Sequence, residues 1–291
     1  MRIQRTAEAI HITWPEAYIP PRAYSKIRNF VYVGDYRALV GKSLLQFQKF
    51  VKDVSKRYQT DIPMECALSI RSVVLKDKVI RGYSKMNHMI GRISVDYNNK
   101  NIVELSKKYD FPPLNLLRGI LLFRGFEPSA VYDVFTGKKP AATILKGRNL
   151  EQYKLALRND AEASFNQSEI ARIAAENERA VVKWFADNGI SMKTQNELVA
   201  EQVKEYGRAV ATPDILFTEP VYINGVRTHW LDYKDYTATE IPFIFNSNVD
   251  QSARYVEKWG PGVLCYRYVV GNVSIPNVQC LSAEYLNIKF A

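Results

Sequence analysis

Apolar positions recur at helical spacing through the first half of the chain, then give way to alternation and short apolar runs. Between Arg37 and Arg57 they fall at Leu39, Leu44, Phe47, Phe50, Val51 and Val54, which predicts a helix. Pro63 is placed to open the next one, running towards Val79 with Ala67, Ile70, Val73 and Val74 apolar. A third is predicted from Tyr83 to Tyr97. Two short helices, 102–110 and 114–122, flank Pro112-Pro113 and resemble a helix-turn-helix, but the second is so apolar that half of it must be core. Gly137-Lys138-Lys139-Pro140 through Gly147-Arg148-Asn149 is basic with breakers at both ends. It divides a helical domain, 1–148, from a second domain, 149–291.

The second domain reads as an α/β layered sheet. One long helix is predicted from Asn166 to Asn188, stopped by Gly189 in the left-handed conformation. A strand near Met192, a helix from Asn196 to Tyr206, and a strand pair around Asn224-Gly225 follow. The chain then gives a helix from Val249 to Trp259, a strand from Val263 to Val270, and an edge strand near 278–281.

The strand pair carries the candidate chemistry. Asp214 leads into Ile215-Leu216-Phe217, and Asp232 and Lys234 sit two apart in Trp230-Leu231-Asp232-Tyr233-Lys234, so they project to one face. Two carboxylates offer hard oxygens for Mg²⁺ or Mn²⁺, and an ammonium suits a phosphate or a nascent hydroxide. Parity sets a condition on this reading. A two-residue Asn-Gly turn opposes Ile223 to Val226; extended unchanged, that register opposes Asp214 to Asp235 and puts Asp214 and Asp232 on opposite faces. A single metal site therefore requires an irregularity, and Glu219-Pro220 is its natural place because proline cannot donate to the ladder.

Glu178 shares a helix face with Val181, Val182 and Phe185, which turns it inward, whereas Glu176 points to solvent. Gln251 and Tyr255 stand one helical turn apart, as groups that orient water or a substrate backbone must. Arg254 and Lys258 form a basic pair for phosphate. His229 alternates with Leu231 on the face opposite Asp232 and reads as structural, and Asp235 reads as a surface acid.

Thr212-Pro213-Asp214, Asp232-Tyr233-Lys234, Gln251 through Tyr255 and Gly260-Pro261-Gly262, in this order, resemble the PD-(D/E)xK nuclease superfamily. Within it they are similar to the branch named for its Thr-Pro-Asp (TPD) motif, over roughly residues 165–270. The resemblance implies a restriction-endonuclease-like α-β-β-β-α-β core with a mixed sheet, here preceded by an all-helical N-terminal domain. It implies a metal-dependent nuclease that hydrolyses phosphodiester bonds, a structure-selective DNA endonuclease leaving 5′-phosphate ends. Asp214, Asp232, the Tyr233 carbonyl and Glu178 would hold Mg²⁺ or Mn²⁺, with Lys234 and Gln251 also catalytic and Tyr255, Arg254 and Lys258 touching nucleic acid. The second acid is Asp where many relatives carry Glu, which would bring the metal closer to the strand.

Charge sharpens this picture. The chain of 291 residues is 47% hydrophobic and carries a net +10. Residues 1–150 hold 26 Lys+Arg against 12 Asp+Glu, while the remainder holds 14 against 18. A basic half suits a polyanion, DNA above all, or a protein partner. No apolar run reaches the roughly 18 residues of a membrane span, and Met1-Arg2-Ile3-Gln4-Arg5 has no apolar signal core. The three scattered cysteines, Cys66, Cys265 and Cys280, lack metal-ligand spacing and read as thiols of a reducing intracellular compartment, nucleus or cytoplasm in a eukaryote. Two other readings stay open: a non-catalytic adaptor binding nucleic acid or protein on a nuclease fold, and an RNA-cleaving enzyme of that fold.

Overall fold

A computed structural model describes residues 1–16, 18–34, 36–160, 167–269 and 273–290. The chain is mixed α/β and divides into two compact units, residues 25–170 and residues 1–24 with 171–291. The expected boundary near 148 therefore moves. Helix α7 (Gly147–Asn159) follows the basic loop, and its Tyr153 and Ala156 are buried in the helical core.

The helical unit contains most of α1 (Pro21–Val33), then α2 (Lys42–Tyr58), α3 (Met64–Asp96), α4 (Ile102–Tyr109), α5 (Pro113–Phe123), α6 (Pro128–Phe135) and α7. The two helices expected over 63–97 are one, because nothing between Val79 and Tyr83 breaks the hydrogen-bond ladder; Gly82 lies within it. Asn101 and Glu104 form a reciprocal capping box that starts α4, and Asp110 ends it with φ of 50°. Helix α5 is the centre of the core: Leu114, Leu116, Leu117, Ile120 and Leu121 are buried, and Arg118, Leu122 and Phe123 are exposed. The apolar excess of 114–122 thus goes into packing rather than into a groove-reading face.

The other unit is built on a mixed sheet. The N-terminal domain is not all helical, since β1 (Arg2–Arg5) and β2 (Ile10–Thr13) belong to this sheet. Helix α8 (Gln167–Asp187) ends as expected at Gly189, with φ of 67°. Strand β3 (Met192–Thr194), α9 (Gln195–Tyr206), β4 (Ile215–Ile223), β5 (Val226–Thr237), α10 (Pro242–Trp259), β6 (Gly262–Tyr268) and β7 (Val278–Ser282) complete it. The strand order is β1-β2-β4-β5-β6-β7, with β3 also paired to β4. β4 and β5 are antiparallel, whereas β5-β6, β6-β7 and β2-β4 are parallel.

The sheet has two apolar faces. Val181 and Phe185 of α8 pack with Ile215, Leu231, Tyr233, Val263 and the N-terminal Ile10, Ile12 and Trp14. On the other face Tyr255 of α10 packs with Trp230, Leu264 and Tyr266. The Trp230 indole lies across β6 where Gly262 has no side chain; a Cβ there would fall inside the ring. Its Nε1 donates to the Gly260 carbonyl at 2.9 Å, and Gly260 itself needs φ of 89°. These contacts explain why glycines bracket Pro261.

Candidate active site

Asn224 and Gly225 turn with φ of 50° and 80°, and Ile223 opposes Val226. Between Val221 and Leu216 the register slips. Beyond the slip Ile215 opposes Leu231 and Leu216 opposes Trp230, a displacement of three residues that places Asp214 opposite Asp232. The displacement is odd, so it exchanges the faces of β4 relative to β5. The irregularity spans the segment containing Glu219 and Pro220, where sequence parity demanded it. Glu219 also leaves the ladder with its side chain, which accepts from the Ser191 amide at 2.5 Å.

Helix α9 fixes the segment that delivers Asp214. Thr194 and Glu197 form its capping box. Gln202 Oε1 accepts from the Val210 and Ala211 amides at 2.8 and 2.9 Å. Gln195 donates through Nε2 to the Thr212 carbonyl at 3.2 Å, and its amide donates to the Asp214 carbonyl at 3.2 Å. Pro213 holds Thr212 extended, so Asp214 enters the strand in one conformation. Sequence reasoning missed Gln195 and Gln202; a glutamine on an amphipathic helix gives no signal of its own.

Asp214 and Asp232 are both buried. Asp214 Oδ2 accepts from the Tyr233 amide at 2.6 Å, and Oδ1 makes a long contact with Gln195 Nε2 at 3.4 Å. Asp232 Oδ2 meets Lys234 Nζ in an ion pair of 2.5 Å, as their shared face requires. Gln251 accepts from Lys234 Nζ at 2.8 Å and donates to the Tyr255 hydroxyl at 2.9 Å. Both Gln251 Nε2 and the Tyr255 hydroxyl reach Asp232 Oδ1 only at 3.5 Å.

The electrostatics follow from burial. Desolvation, then repulsion from Asp232 and Glu178, pushes the Asp214 carboxyl up to about 8. Desolvation also raises Asp232, opposed by Lys234 and by hydrogen bonding. Desolvation pulls the Lys234 ammonium down, but the Asp232 carboxylate and then Asp214 outweigh it, so its pKa is raised and it stays charged. Lys234 acts more strongly on Asp232, which it meets directly, than on Asp214, where its charge is the smallest of the named influences. Glu178, half-buried on α8, is raised first by desolvation and then by Asp232.

Asp214, Asp232, Lys234, Gln251 and Tyr255 come together, and Glu178 stands near enough to feel Asp232. Tyr255 belongs to this buried group rather than with Arg254 and Lys258, which are exposed on α10. Lys258 lies over the rings of Tyr206 and Trp259 at 5.2 and 5.1 Å. Among the described residues no three His, Cys, Asp or Glu side chains are grouped closely enough to hold a metal ion by themselves. Asp235 is not a surface acid: its Oδ1 accepts from Asn177 Nδ2 at 2.9 Å and from the Tyr233 hydroxyl at 2.6 Å, on the α8 side of the sheet. Asn177, buried beside Glu178, is thus a tie between α8 and β5 that the sequence did not reveal.

Residues 147–278 match the model of a family described as a protein of unknown function with a TPD sequence motif. The chain is also similar to an uncharacterized protein of Acanthamoeba polyphaga mimivirus, with 30% identity over 104 residues. That match spans 34% of this chain and 36% of the viral protein. No solved structure matches the chain.

Proposed function

We propose that this protein is a divalent-metal-dependent nuclease acting on DNA, built on a restriction-endonuclease-like core. One observation carries the reading: an odd register slip brings Asp214 opposite Asp232 on the face that also holds Lys234. Without the slip the two acids would be separated by the sheet. Burying two facing carboxylates costs stability unless something compensates their charge. Lys234 supplies one positive charge against the three acids Asp214, Asp232 and Glu178, which leaves the cluster suited to a divalent cation. The donors are oxygens, as Mg²⁺ and Mn²⁺ prefer.

Asp214, Asp232 and the Tyr233 carbonyl would hold the ion, with the Glu178 charge acting on it from farther off. Bound there, it would act as a Lewis acid on a phosphoryl oxygen and acidify a water. The remaining work falls to this chain's own side chains. Lys234 remains protonated, so its part is to offset negative charge developing on the phosphate rather than to take a proton. Gln251 holds the Lys234 ammonium, and Tyr255 holds Gln251, which together fix where that charge sits. The resemblance to PD-(D/E)xK nucleases supports cleavage leaving a 5′-phosphate.

A non-catalytic adaptor is the second reading. It is favoured by the way Asp232 is already paired with Lys234 and Asp214 accepts from the Tyr233 amide. Thermal unfolding separates the two. An ion that binds only the folded protein raises the midpoint by mass action, and Asp214→Ala abolishes the rise. No shift at millimolar Mn²⁺ favours the adaptor. Duplex, junction, flap and single-stranded DNA and RNA, incubated with Mg²⁺ or Mn²⁺, then identify the substrate. Cleavage that survives Asp214→Ala comes from elsewhere.

A further inference from the structure

Helices α3 and α5 leave a groove between them that the reading above does not use. Tyr83, Met86, Asn87 and Ile90 form one wall, at the spacing of a single helix face. The other wall is α5, from Asn115 through Arg118 to Phe123. The groove has a volume of about 320 Å³, at the small end of the range of ligand pockets, about 300–1,000 Å³. Gly119 sets its depth. A Cβ there would come within 3.0 Å of Ile90 Cδ1 and 3.5 Å of Met86 Sδ, so α5 lies close on α3 and those side chains form the floor.

Two aromatic rings stand at the ends of the groove and are open to solvent. Phe123 is 58% exposed and lies over α3 at Gly91, where a Cβ would fall 3.4 Å from its ring. Tyr83 is 47% exposed and is tilted against Phe111, ring centroids 6.2 Å apart. Measured along α3, Tyr83 and Gly91 are about 12 Å apart, at about 1.5 Å per residue. That is the length of about three stacked bases, at roughly 3.4 Å each.

The polar groups decide between occupants. Asn87 and Asn115, one on each wall, and Arg118 make no side-chain hydrogen bond or ion pair among the described residues. No acid among the described residues lines the groove, and the helical unit holds 25 Lys+Arg against 14 Asp+Glu. The occupant must therefore tolerate positive charge, offer flat apolar surface to the rings, and satisfy two amides. A second copy of this chain would bring like charge to Arg118. A purely apolar helix would bury both amides unpaired, which costs stability for each. A single strand of nucleic acid meets all three conditions. Its bases stack on aromatic rings and carry donors and acceptors at their edges, and its phosphates pair with arginine. A duplex does not, because its bases are already stacked on one another.

We propose that this groove holds bases of single-stranded nucleic acid, with Phe123 and Tyr83 as stacking platforms, Asn87 and Asn115 at base edges, and Arg118 on a phosphate. As a substrate contact this rests on the nuclease reading; as a binding site it is tested without cleavage. The full chain is used, in EDTA, which removes metal. The probes are a labelled strand of deoxyadenosine and an abasic strand of equal length, followed by fluorescence anisotropy. The adenine strand should bind the parent about tenfold more tightly than the abasic one, the usual effect of stacking a base. Phe123→Leu keeps an apolar side chain but removes the ring. It should weaken the adenine strand about tenfold and leave the abasic strand unchanged, while Phe123→Trp keeps the parent's affinity. Tyr83→Leu should act as Phe123→Leu does. Arg118→Gln should weaken both strands and make the salt slope shallower by about 0.7. These positions are exposed, so folding should hold, and an unchanged unfolding midpoint checks it. Asp214→Ala, which stops cleavage, should bind both strands as the parent does, so failure of the metal site and failure of this groove are distinguishable. Equal binding of the two strands, or parent affinity for adenine in both leucine variants, overturns the proposal. So does a parent dimer in sedimentation that Phe123→Leu dissociates, which would make the groove an interface between copies.

Discussion

At the scale of single residues, Asp214 has the property that links burial to function. Below about pH 3.9, the ordinary Asp value, it is protonated folded or unfolded. Above that the unfolded chain ionises while the folded carboxyl keeps its proton to about 8. Metal-free protein therefore loses stability as pH rises between these values, and loses no more from this group beyond them. Asp232 and Glu178 are raised too and act in the same direction. The unfolding midpoint should fall from pH 5 to 8, and Asp214→Asn should flatten the fall. A variant that tracks the parent across this range would remove Asp214 as the source. A metal competes with the same proton, so stabilisation by Mn²⁺ should be larger at pH 8 than at pH 6. Lys234 makes a different prediction. Lys234→Ala should lower turnover by roughly 10²–10⁴-fold, the usual effect of deleting a charge-stabilising or proton-transfer group. Because an ammonium does not ligate a cation, Mn²⁺ titrations should change far less than turnover. If metal binding weakens as much as turnover, the lysine acts mainly by holding Asp232 in place.

At the scale of elements, the decisive feature is a strand pair whose register is not continuous. Alternation and an Asn-Gly turn were enough to predict β4 and β5, and parity was enough to require a slip near Glu219-Pro220. The facing of Asp214 and Asp232 was therefore legible, conditionally, from the sequence. The supports were not. Gln195, Gln202 and Asn177 act through hydrogen bonds to segments 8 to 58 residues away, and no local pattern encodes those partners. The N-terminal strands were missed for a similar reason. β2 is four residues long and earns its place by parallel pairing of Ile10 with Val221, a contact across most of the chain. The helix expected towards Val79 and the one expected from Tyr83 join through Gly82 in α3, since a single glycine lowers helix stability by only about 1 kcal/mol. The glycines around Pro261 belong to this scale as well. Gly262→Ala would drive a methyl into the Trp230 ring, which is locked by its bond to Gly260 and by the Tyr255 ring at 5.1 Å. Overpacking of this kind costs about 1–3 kcal/mol, and more where the neighbour cannot move. The unfolding midpoint should fall by several degrees, on the order of what about 2 kcal/mol produces in a chain of this size. An unchanged midpoint would show that the indole can leave its position.

At the scale of the molecule, the positive charge lies in one of the two compact units. Residues 25–170 hold 25 Lys+Arg against 14 Asp+Glu, while the sheet unit holds 15 against 16. The unit with the acids is near neutral at −1, and the helical unit carries +11. Among the described residues no helix is long and apolar enough to cross a membrane. If it grips a nucleic-acid backbone, affinity must fall with salt, with a log-log slope of about −0.9 per phosphate contacted on duplex DNA and about −0.7 on a single strand. Helix α2 gives a concrete test, because Lys49, Lys52 and Lys56 are exposed on one of its faces. Their spacing of three and four residues makes that face a stripe of positive charge. Replacing all three by Gln keeps the helix-forming tendency and removes the charge. If each contacts one phosphate, the slope on duplex DNA should become shallower by about 2.7, and affinity should fall most at low salt. Mn²⁺ stabilisation, which depends on Asp214 and Asp232 in the other unit, should be unchanged. A variant with the parent's slope and affinity would show that this stripe does not meet the backbone. A loss of affinity with no change in slope would point to contacts that do not neutralise phosphate, and so to a partner recognised by shape rather than by charge.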